Sequence, residues 1–150
     1  MIERSPAAAR QLASRARRRV RGQSSPPDAD LARQREVVDA FFAASRDGDF
    51  DALVSVLHPD VVLRSDGGPA RPRFTLVIDG ASAVASQALT YGQLSPFVRP
   101  AVINGAAGVV VAAHGRPMSV MAFTVTDGRI AAIDVLVDPE RLHQLDLRLD

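Results

Sequence analysis

The sequence contains no cysteine, which excludes disulfide bonds, thiol nucleophiles and thiolate metal sites, so any chemistry must come from oxygen and nitrogen groups. It also has no run of roughly 18 uncharged apolar residues, the length that a membrane-spanning helix needs. Its N-terminus is rich in arginine and lacks the apolar core of a secretory signal peptide. From these absences we expect no membrane association and a cytoplasmic location.

The residues that are present are sufficient for one domain of ordinary size with a hydrophobic core, since 47% of the 150 residues are hydrophobic. The formal net charge of +1 hides an uneven distribution. The first 22 residues hold seven arginines and a single acid, Glu3, so they carry about +6 and leave the remainder near −5. The chain therefore divides into a basic arm and a mildly acidic body.

A helix is predicted over about residues 6–20 of the arm. Ser5 can cap its free amides, Pro6 fits the first helical position, and the alanines that follow favour helix. Gly22 and Pro26-Pro27 then interrupt the helical pattern. We therefore expect a basic helix over residues 1–22 and a linker over residues 23–30.

Three amphipathic helices are predicted in the first half of the body. Asp28 or Asp30 can cap the first, Asp49 the second and Asp79 the third. We expect these helices to end at Asp47, at His58-Pro59 and near Leu89, with a strand over Val61–Arg64, a loop over Asp66–Arg73 and a strand over Phe74–Ile78 between the second and the third.

Strands dominate the rest of the body, where valine-rich segments alternate with Asn-Gly, His-Gly and Asp-Gly turn signals. Helices followed by hairpin strands predict an α+β domain in which the helices pack over one face of a curved antiparallel sheet. Such a fold can hold a pocket between sheet and helices. The predicted strands are Val98–Ile103, Gly108–Ala113, Met118–Thr126 and Arg129–Val137, with turns at residues 104–105, 114–115 and 127–128.

The body resembles the SnoaL-like group of the nuclear transport factor superfamily over about residues 28–147. The resemblance rests on the element order and on the stretch Phe41-Phe-Ala-Ala-Ser-Arg-Asp-Gly-Asp-Phe-Asp-Ala-Leu53 leading to Leu57-His-Pro-Asp-Val61. It implies a SnoaL-like cone over residues 31–150, preceded by the basic helix. Because this fold serves isomerases, cyclases, hydrolases and non-catalytic binding domains, it does not name the activity.

The arm, Arg4-Ser-Pro-Ala-Ala-Ala-Arg-Gln-Leu-Ala-Ser-Arg-Ala-Arg-Arg-Arg19, resembles the recognition helix of sigma-70 region 4. With Ala101-Val-Ile-Asn-Gly-Ala-Ala-Gly108 and Val137-Asp-Pro-Glu-Arg-Leu142, it is similar to extracytoplasmic-function sigma factors that carry a SnoaL-like C-terminal extension. The resemblance implies that the chain is the end of region 4 plus this extension, without region 2 and the earlier helices of region 4. In such proteins the helix enters the major groove of the minus-35 element, and the extension contacts the sigma core and regulates it in cis. The implied partners of the intact protein are promoter DNA and the RNA polymerase core, with no cofactor.

Two sets of site residues follow from this resemblance. The arm is expected to contact DNA through Arg4, Arg10 and Arg15 on the groove side and through Arg17, Arg18 and Arg19 at phosphates, where guanidinium groups make charge-assisted bonds. Ser5 is also expected among the DNA-contacting residues. The alternative is a solvated basic helix end. The regulatory contact is expected from Asp66, Gly67 and Gly68 and from Asp138, Pro139, Glu140, Arg141 and Leu142.

Local structure offers an alternative for both regulatory segments. The family's loop motif Asp-Gly-Gly-Gly-Lys occurs here as Asp66-Gly67-Gly68-Pro69-Ala70, without the last glycine and the lysine, and the stretch can be an ordinary acidic turn. Asp138 followed by Pro139 is a sufficient helix start without any docking role. A helix cap and a docking surface can coexist at these residues.

The rival hypothesis is a SnoaL-like isomerase or cyclase that acts on a small hydrophobic substrate. A buried acid or base in the pocket would be needed, for which Asp134, His58 and Tyr91 are the candidates. The histidines, His58, His114 and His143, are far apart in sequence, so no metal site is predicted. We favour a non-catalytic domain, with room for a small-molecule ligand in the pocket and for homodimerisation through the outer sheet face.

Overall fold

The computed structural model describes residues 28–144, with the side chains of residues 93–95 left out of the description. The predicted arm helix, its DNA-contacting residues and the first part of the predicted linker lie outside the described residues. None of the described helices is long and apolar enough to cross a membrane.

The first two helices begin at the predicted caps, and the first also ends where the sequence predicts. Helix α1 spans Leu31–Asp47 and α2 spans Phe50–Val56. The Ala32 amide donates to Asp30 Oδ1 over 2.9 Å, so Asp30 caps α1, and the Ala52 amide donates to Asp49 Oδ1 over 3.0 Å. Gly48 ends α1 in the left-handed conformation with φ of 70°. Local capping chemistry accounts for this helical pair.

Asp28 connects the start of the described chain to the hairpin turn at residues 127–128. Its carboxylate accepts hydrogen bonds from the backbone amides of Asp127 and Gly128, both over 2.9 Å. Its own amide donates to the Val125 carbonyl over 2.8 Å. The described end of the predicted linker, residues 28–30, is therefore bonded to the folded body.

Strand β1 spans Leu57–Asp66, so it begins four residues before the predicted start at Val61. Helix α2 ends at Val56, two residues before the predicted stop at His58-Pro59, and both of these residues lie in the strand. The register with the neighbouring strand shifts between Leu57 and Val62, and a proline without an amide hydrogen is tolerated in such an irregular stretch.

The segment between β1 and the meander also differs from the prediction in detail. A short 3-10 helix over Pro72–Phe74 ends the loop, and strand β2 spans Leu76–Asp79. Helix α3 spans Ala81–Thr90, and a second 3-10 helix spans Gly92–Phe97. The predicted cap of α3 is wrong, since Gly80 occupies the cap position and Asp79 is the last residue of β2, paired with Val62.

The remaining elements are strands β3 (Val98–Ile103), β4 (Ala106–Ala113), β5 (Arg116–Thr126) and β6 (Arg129–Leu136), followed by helix α4 (Pro139–Gln144). The predicted hairpin turns are confirmed, since Asn104, His114 and Asp127 have φ of 53–54° and each precedes a glycine with positive φ.

The six strands form one sheet in the order β2-β1-β6-β5-β4-β3. All neighbouring pairs are antiparallel except β1 and β6, which run parallel and pair Arg64 with Asp134. The α+β fold is confirmed, whereas the expectation of a purely antiparallel sheet is corrected at this pair.

The two faces of the sheet are covered by different elements. We call the face under α1–α3 the inner face, where Phe41, Leu53, Phe123 and Ile133 belong to the main hydrophobic core. On the opposite, outer face, Leu142 of α4 packs in a smaller cluster with Val110, Val120, Ala112 and Leu136. Strand β6 therefore contributes to both faces, with Ile133 on the inner face and Leu136 on the outer face.

Candidate functional site

A cavity of about 250 Å³ lies between the inner face of the sheet and helices α1 and α3. Most of its lining side chains are apolar. Those from helices and loops are Phe41, Phe42, Ser45, Arg71, Phe74, Gln87, Ala88, Tyr91 and Gly92, and those from strands or strand ends are Leu63, Ser65, Leu76, Val98, Val111, Met118, Ser119, Met121, Val135 and Val137.

Phe41 and Phe42 line this cavity, and both rings pack on the core residue Phe123. The ring centroids of Phe41 and Phe42 are 5.2 Å apart, and those of Phe42 and Phe123 are 5.9 Å apart, all in edge-to-face geometry that aromatic pairs prefer. The Ser45 hydroxyl donates to the Ala88 carbonyl over 2.8 Å, which joins α1 to α3 beside the cavity. Packed rings and a helix-to-helix hydrogen bond fix this end of the cavity.

Among the described residues that line the cavity, Arg71 alone carries a charge. It lies in the loop between β1 and β2 and is half-buried. Its backbone carbonyl accepts from the Phe74 amide over 3.0 Å, which holds the loop around it. Within residues 28–144, no hydrogen bond or ion pair of the Arg71 guanidinium is found.

The loop that carries Arg71 is bonded to helix α4 through an ionic network. Arg141 Nη1 lies 3.2 Å from Asp66 Oδ2, and Arg141 Nε lies 2.9 Å from Asp138 Oδ2. The Asp138 carboxylate also accepts from the Glu140 amide over 3.1 Å, which caps α4 as predicted. One guanidinium thus joins the end of β1 to the start of α4.

Backbone contacts make this junction tighter. The Val137 amide donates to the Asp66 carbonyl over 2.8 Å, and the Gly68 amide donates to Asp66 Oδ1 over 2.9 Å. A Cβ atom on Gly67 would lie 2.0 Å from the Arg71 carbonyl oxygen, and one on Gly68 would lie 2.2 Å from Asp138 Oδ2. Both glycines are therefore required by close contacts.

The structure brings the two predicted regulatory segments together but buries much of them. Asp138 is 2% exposed, Arg141 6% and Leu142 2%. Pro139 and Glu140 are exposed at the start of α4. Pro139 and Glu140 are therefore the exposed residues of this set, Asp66 and Gly68 are half-buried, and the buried residues hold the junction.

The three catalytic candidates are not brought together. Tyr91 lines the cavity and is 41% exposed. Asp134 lies between Ile133 and Val135 of the inner face, so it belongs to the outer face, where it is buried. His58 accepts from the Asp60 amide at Nδ1 over 3.0 Å and is not part of the cavity lining. Among residues 28–144, no group of three or more His, Cys, Asp or Glu residues could hold a metal ion.

Two features of the candidate site escaped the sequence interpretation. Arg71 stands in a Gly- and Pro-rich loop, where nothing in the sequence distinguishes it from Arg73. The bond of Arg141 to Asp66 joins residues 75 positions apart, and no local pattern reports such a pairing. Only the parallel packing of β1 and β6 brings these residues together.

A curved sheet with helices over its inner face and a cavity between them defines an NTF2-like α+β domain. An NTF2-like protein from Burkholderia xenovorans LB400 superposes with a TM-score of 0.52 at 21% identity over 78% of this chain and 98% of that protein, which shows the fold alone. A scan for family models found none that matches the chain.

The sequence itself is similar to particular sigma factors. The ECF RNA polymerase sigma factor SigJ of Mycobacterium tuberculosis strain H37Rv is 34% identical over 151 residues, covering 91% of this chain and 48% of that protein. The probable ECF RNA polymerase sigma factor SigI of the same species, strain CDC 1551, is 32% identical over 141 residues, covering 93% and 47%.

The SigJ crystal structure superposes with a TM-score of 0.63 over 95% of this chain and 52% of that one. The chain is homologous to the extracytoplasmic-function sigma factors and has the SnoaL-like, NTF2-like fold. It spans about half the length of the curated relatives that it matches.

Proposed function

We propose that the chain is the end of sigma region 4 followed by a SnoaL-like regulatory domain, and that it serves transcription initiation in a longer protein. In that protein the arm contacts promoter DNA and the domain contacts the sigma core. The intact protein binds the RNA polymerase core. A cytoplasmic location belongs to the same proposal.

The extent of the similarity to SigJ is the observation that carries this proposal. The match covers 91% of the chain, and residues 28–150 alone make up less than that share. The aligned region therefore continues into the arginine-rich arm. Continuity from arm to domain supports a joint function and does not suit an enzyme with an unrelated basic tail.

The junction between the β1–β2 loop and α4 supports a regulatory role for this part of the domain. The buried network of Asp66, Asp138 and Arg141 fixes the position of α4 relative to the sheet. Pro139 and Glu140 are thereby presented at a rigid, exposed helix start. A preorganised surface loses little conformational entropy on binding, which favours a specific contact.

The first test reads the genomic DNA immediately upstream of the Met1 codon. We expect an in-frame coding sequence for region 2 and for the earlier helices of region 4. An unrelated gene in that position, or a stop codon that separates the two, would contradict the proposal.

The second test changes the exposed contact in that longer protein. Glu140→Lys should change the yield of run-off transcript by roughly 5–30-fold, because loss of an interface contact of one or two kcal/mol changes an affinity by that factor. Glu36→Lys is the matched control, since Glu36 is exposed on α1. Equal yields from the two variants and the parent would exclude the Glu140 surface from regulation.

Homodimerisation through the outer sheet face remains a prediction. Helix α4 already covers part of that face through Leu142. A dimer would therefore use the strands beyond this cluster.

A further inference from the structure

We propose that the cavity binds a small apolar carboxylate, with its apolar body among the phenylalanines and its carboxylate at the Arg71 guanidinium. This inference deepens the domain's role in the proposed function by naming a ligand class. Binding itself, however, depends only on the cavity, so it can be tested whether or not the chain contacts polymerase.

The size and lining of the cavity define the body of the ligand. A volume of about 250 Å³ is slightly below the range of roughly 300–1,000 Å³ that holds drug-sized molecules. The lining is dominated by Phe, Leu, Val and Met side chains. A molecule with a short alkyl chain, a single ring or two fused rings would fill this space, and the apolar surface of both ligand and cavity would be removed from water.

Arg71 defines the head group. It is half-buried at a mainly apolar cavity, and within residues 28–144 its guanidinium has no carboxylate or carbonyl partner. The described lining also holds no Asp or Glu that would repel an anion. A guanidinium pairs with a carboxylate through two parallel hydrogen bonds, and partial burial strengthens such a pair relative to one in water.

The position of Arg71 links this site to α4. Arg71 is held in a loop whose glycines pack against its own carbonyl and against Asp138. Asp66, at the start of the same loop, is bonded to Arg141. The ligand site is therefore joined, through one loop, to the junction that positions Pro139 and Glu140.

Tyrosine fluorescence provides a direct readout, because Tyr91 is the single tyrosine, lines the cavity, and is not masked by any tryptophan. The probes are octanoate and 2-naphthoate as carboxylates, octan-1-ol as the uncharged match and octylammonium as the match of opposite charge. Since 2-naphthoate itself fluoresces, its binding is measured by calorimetry.

We expect at least one carboxylate to saturate a single site with a Kd on the order of 0.1–1 mM, given the affinity available to about ten heavy atoms. Octan-1-ol should bind roughly ten-fold or more weakly than octanoate, because it has no negative charge to pair with the guanidinium, and octylammonium should not bind measurably, because the two cations repel each other. Absence of saturable binding by both carboxylates would overturn the proposal, as would equal affinity for octanoate and octan-1-ol.

Two variants locate the bound carboxylate. Arg71→Gln should weaken its binding roughly ten-fold or more, whereas Arg71→Lys should retain part of the affinity. Arg73→Gln is the matched control, because Arg73 lies on the same loop, is exposed and stacks at 5.4 Å on the Phe74 ring. Equal losses in Arg71→Gln and Arg73→Gln would show a non-specific charge effect and contradict the assignment.

A third variant tests the cavity itself. Ala88→Leu adds volume into the lining and should abolish binding of every probe while circular dichroism shows the parent fold. Undiminished binding in this variant would place the ligand elsewhere on the molecule and overturn the proposal.

Discussion

Gly68 occupies a position that no other residue type can fill without cost. Its φ of +65° lies in the left-handed region, and the space where a Cβ would stand is taken by the Asp138 carboxylate. That carboxylate is one of the two that Arg141 joins. Because removing one partner of a buried ion pair leaves an uncompensated charge, a displaced Asp138 weakens the whole junction.

Gly68→Ala should therefore lower the free energy of unfolding by about 2–5 kcal/mol, the sum of left-handed strain and overpacking. Gly105→Ala is the matched control, since Gly105 has φ of +80° and no atom within 4 Å of the place that an added methyl group would take. The control should lose about 1–2 kcal/mol, from strain alone. Urea denaturation measures both, and equal losses would mean that the contact with Asp138 has no energetic weight.

Residues with local partners could be predicted from the sequence, and those with distant partners could not. Asp30, Gly48 and Asp49 act within three or four residues of themselves, so their roles as helix caps follow from the sequence alone. Asp28 could be given only a local role as a possible cap. Its observed partners, the amides of Asp127 and Gly128, lie about a hundred positions away.

Helix α1 is attached to the far edge of the sheet by polar side chains as well as by its apolar face. Arg35 Nη1 donates to the Gly108 carbonyl over 2.9 Å, and Nη2 donates to the Ala101 carbonyl over 2.6 Å. The buried Gln34 accepts from the Ala107 amide over 2.9 Å. These bonds hold the β3–β4 hairpin, which includes the edge strand β3, against the helix.

Arg35→Met should destabilise the protein by about 1.5–3 kcal/mol, the range for hydrogen bonds from a charged donor. Hydrogen exchange should show the loss of protection first in β3. Arg33→Met is the matched control, because Arg33 is exposed on the same helix, and its effect should stay within about 0.5 kcal/mol. If β3 keeps its protection against hydrogen exchange in Arg35→Met, the prediction is wrong, and the apolar face of α1 is sufficient to hold the edge strand in place.

The helices and the meander could be predicted because each follows a repeating pattern with turn signals at its ends. The start of β1 could not, because its first residues include Pro59 and its first residue, Leu57, is assigned to the strand through its pairing with Ile130 of β6. The 3-10 helices over Pro72–Phe74 and Gly92–Phe97 are too short to show a hydrophobic period. The positions of these elements therefore depend on tertiary contacts and not on a local sequence pattern.

The parallel pairing of β1 and β6 organises the molecule. Parallel strands end at the same edge of a sheet, so the loop after β1 and helix α4 after β6 meet there. This arrangement joins Asp66 to Arg141 and places Arg71 at the cavity. A sequence that predicts only a meander gives no sign of this pairing, which is why the cavity could be anticipated in outline and its cation could not.

Homology to the extracytoplasmic-function sigma factors places the arm and the domain in one aligned region. The account that follows from it makes the arm a DNA-contacting segment. A recognition helix without its supporting helices cannot be held in register on the bases, so the chain alone should bind duplex DNA weakly and without sequence preference. Phosphate contacts should supply its affinity, which therefore depends on salt.

The most direct measurement is the affinity of the 150-residue chain for duplex DNA as a function of salt concentration. Log affinity should fall with log salt by nearly one unit per phosphate contact, and replacing Arg17, Arg18 and Arg19 with glutamine should flatten the slope by up to about three. Replacing the exposed body residues Arg33, Arg46 and Arg116 instead removes the same charge and should leave the slope unchanged. Tight, promoter-selective and salt-insensitive binding, or the same slope in both triple variants, would contradict the account.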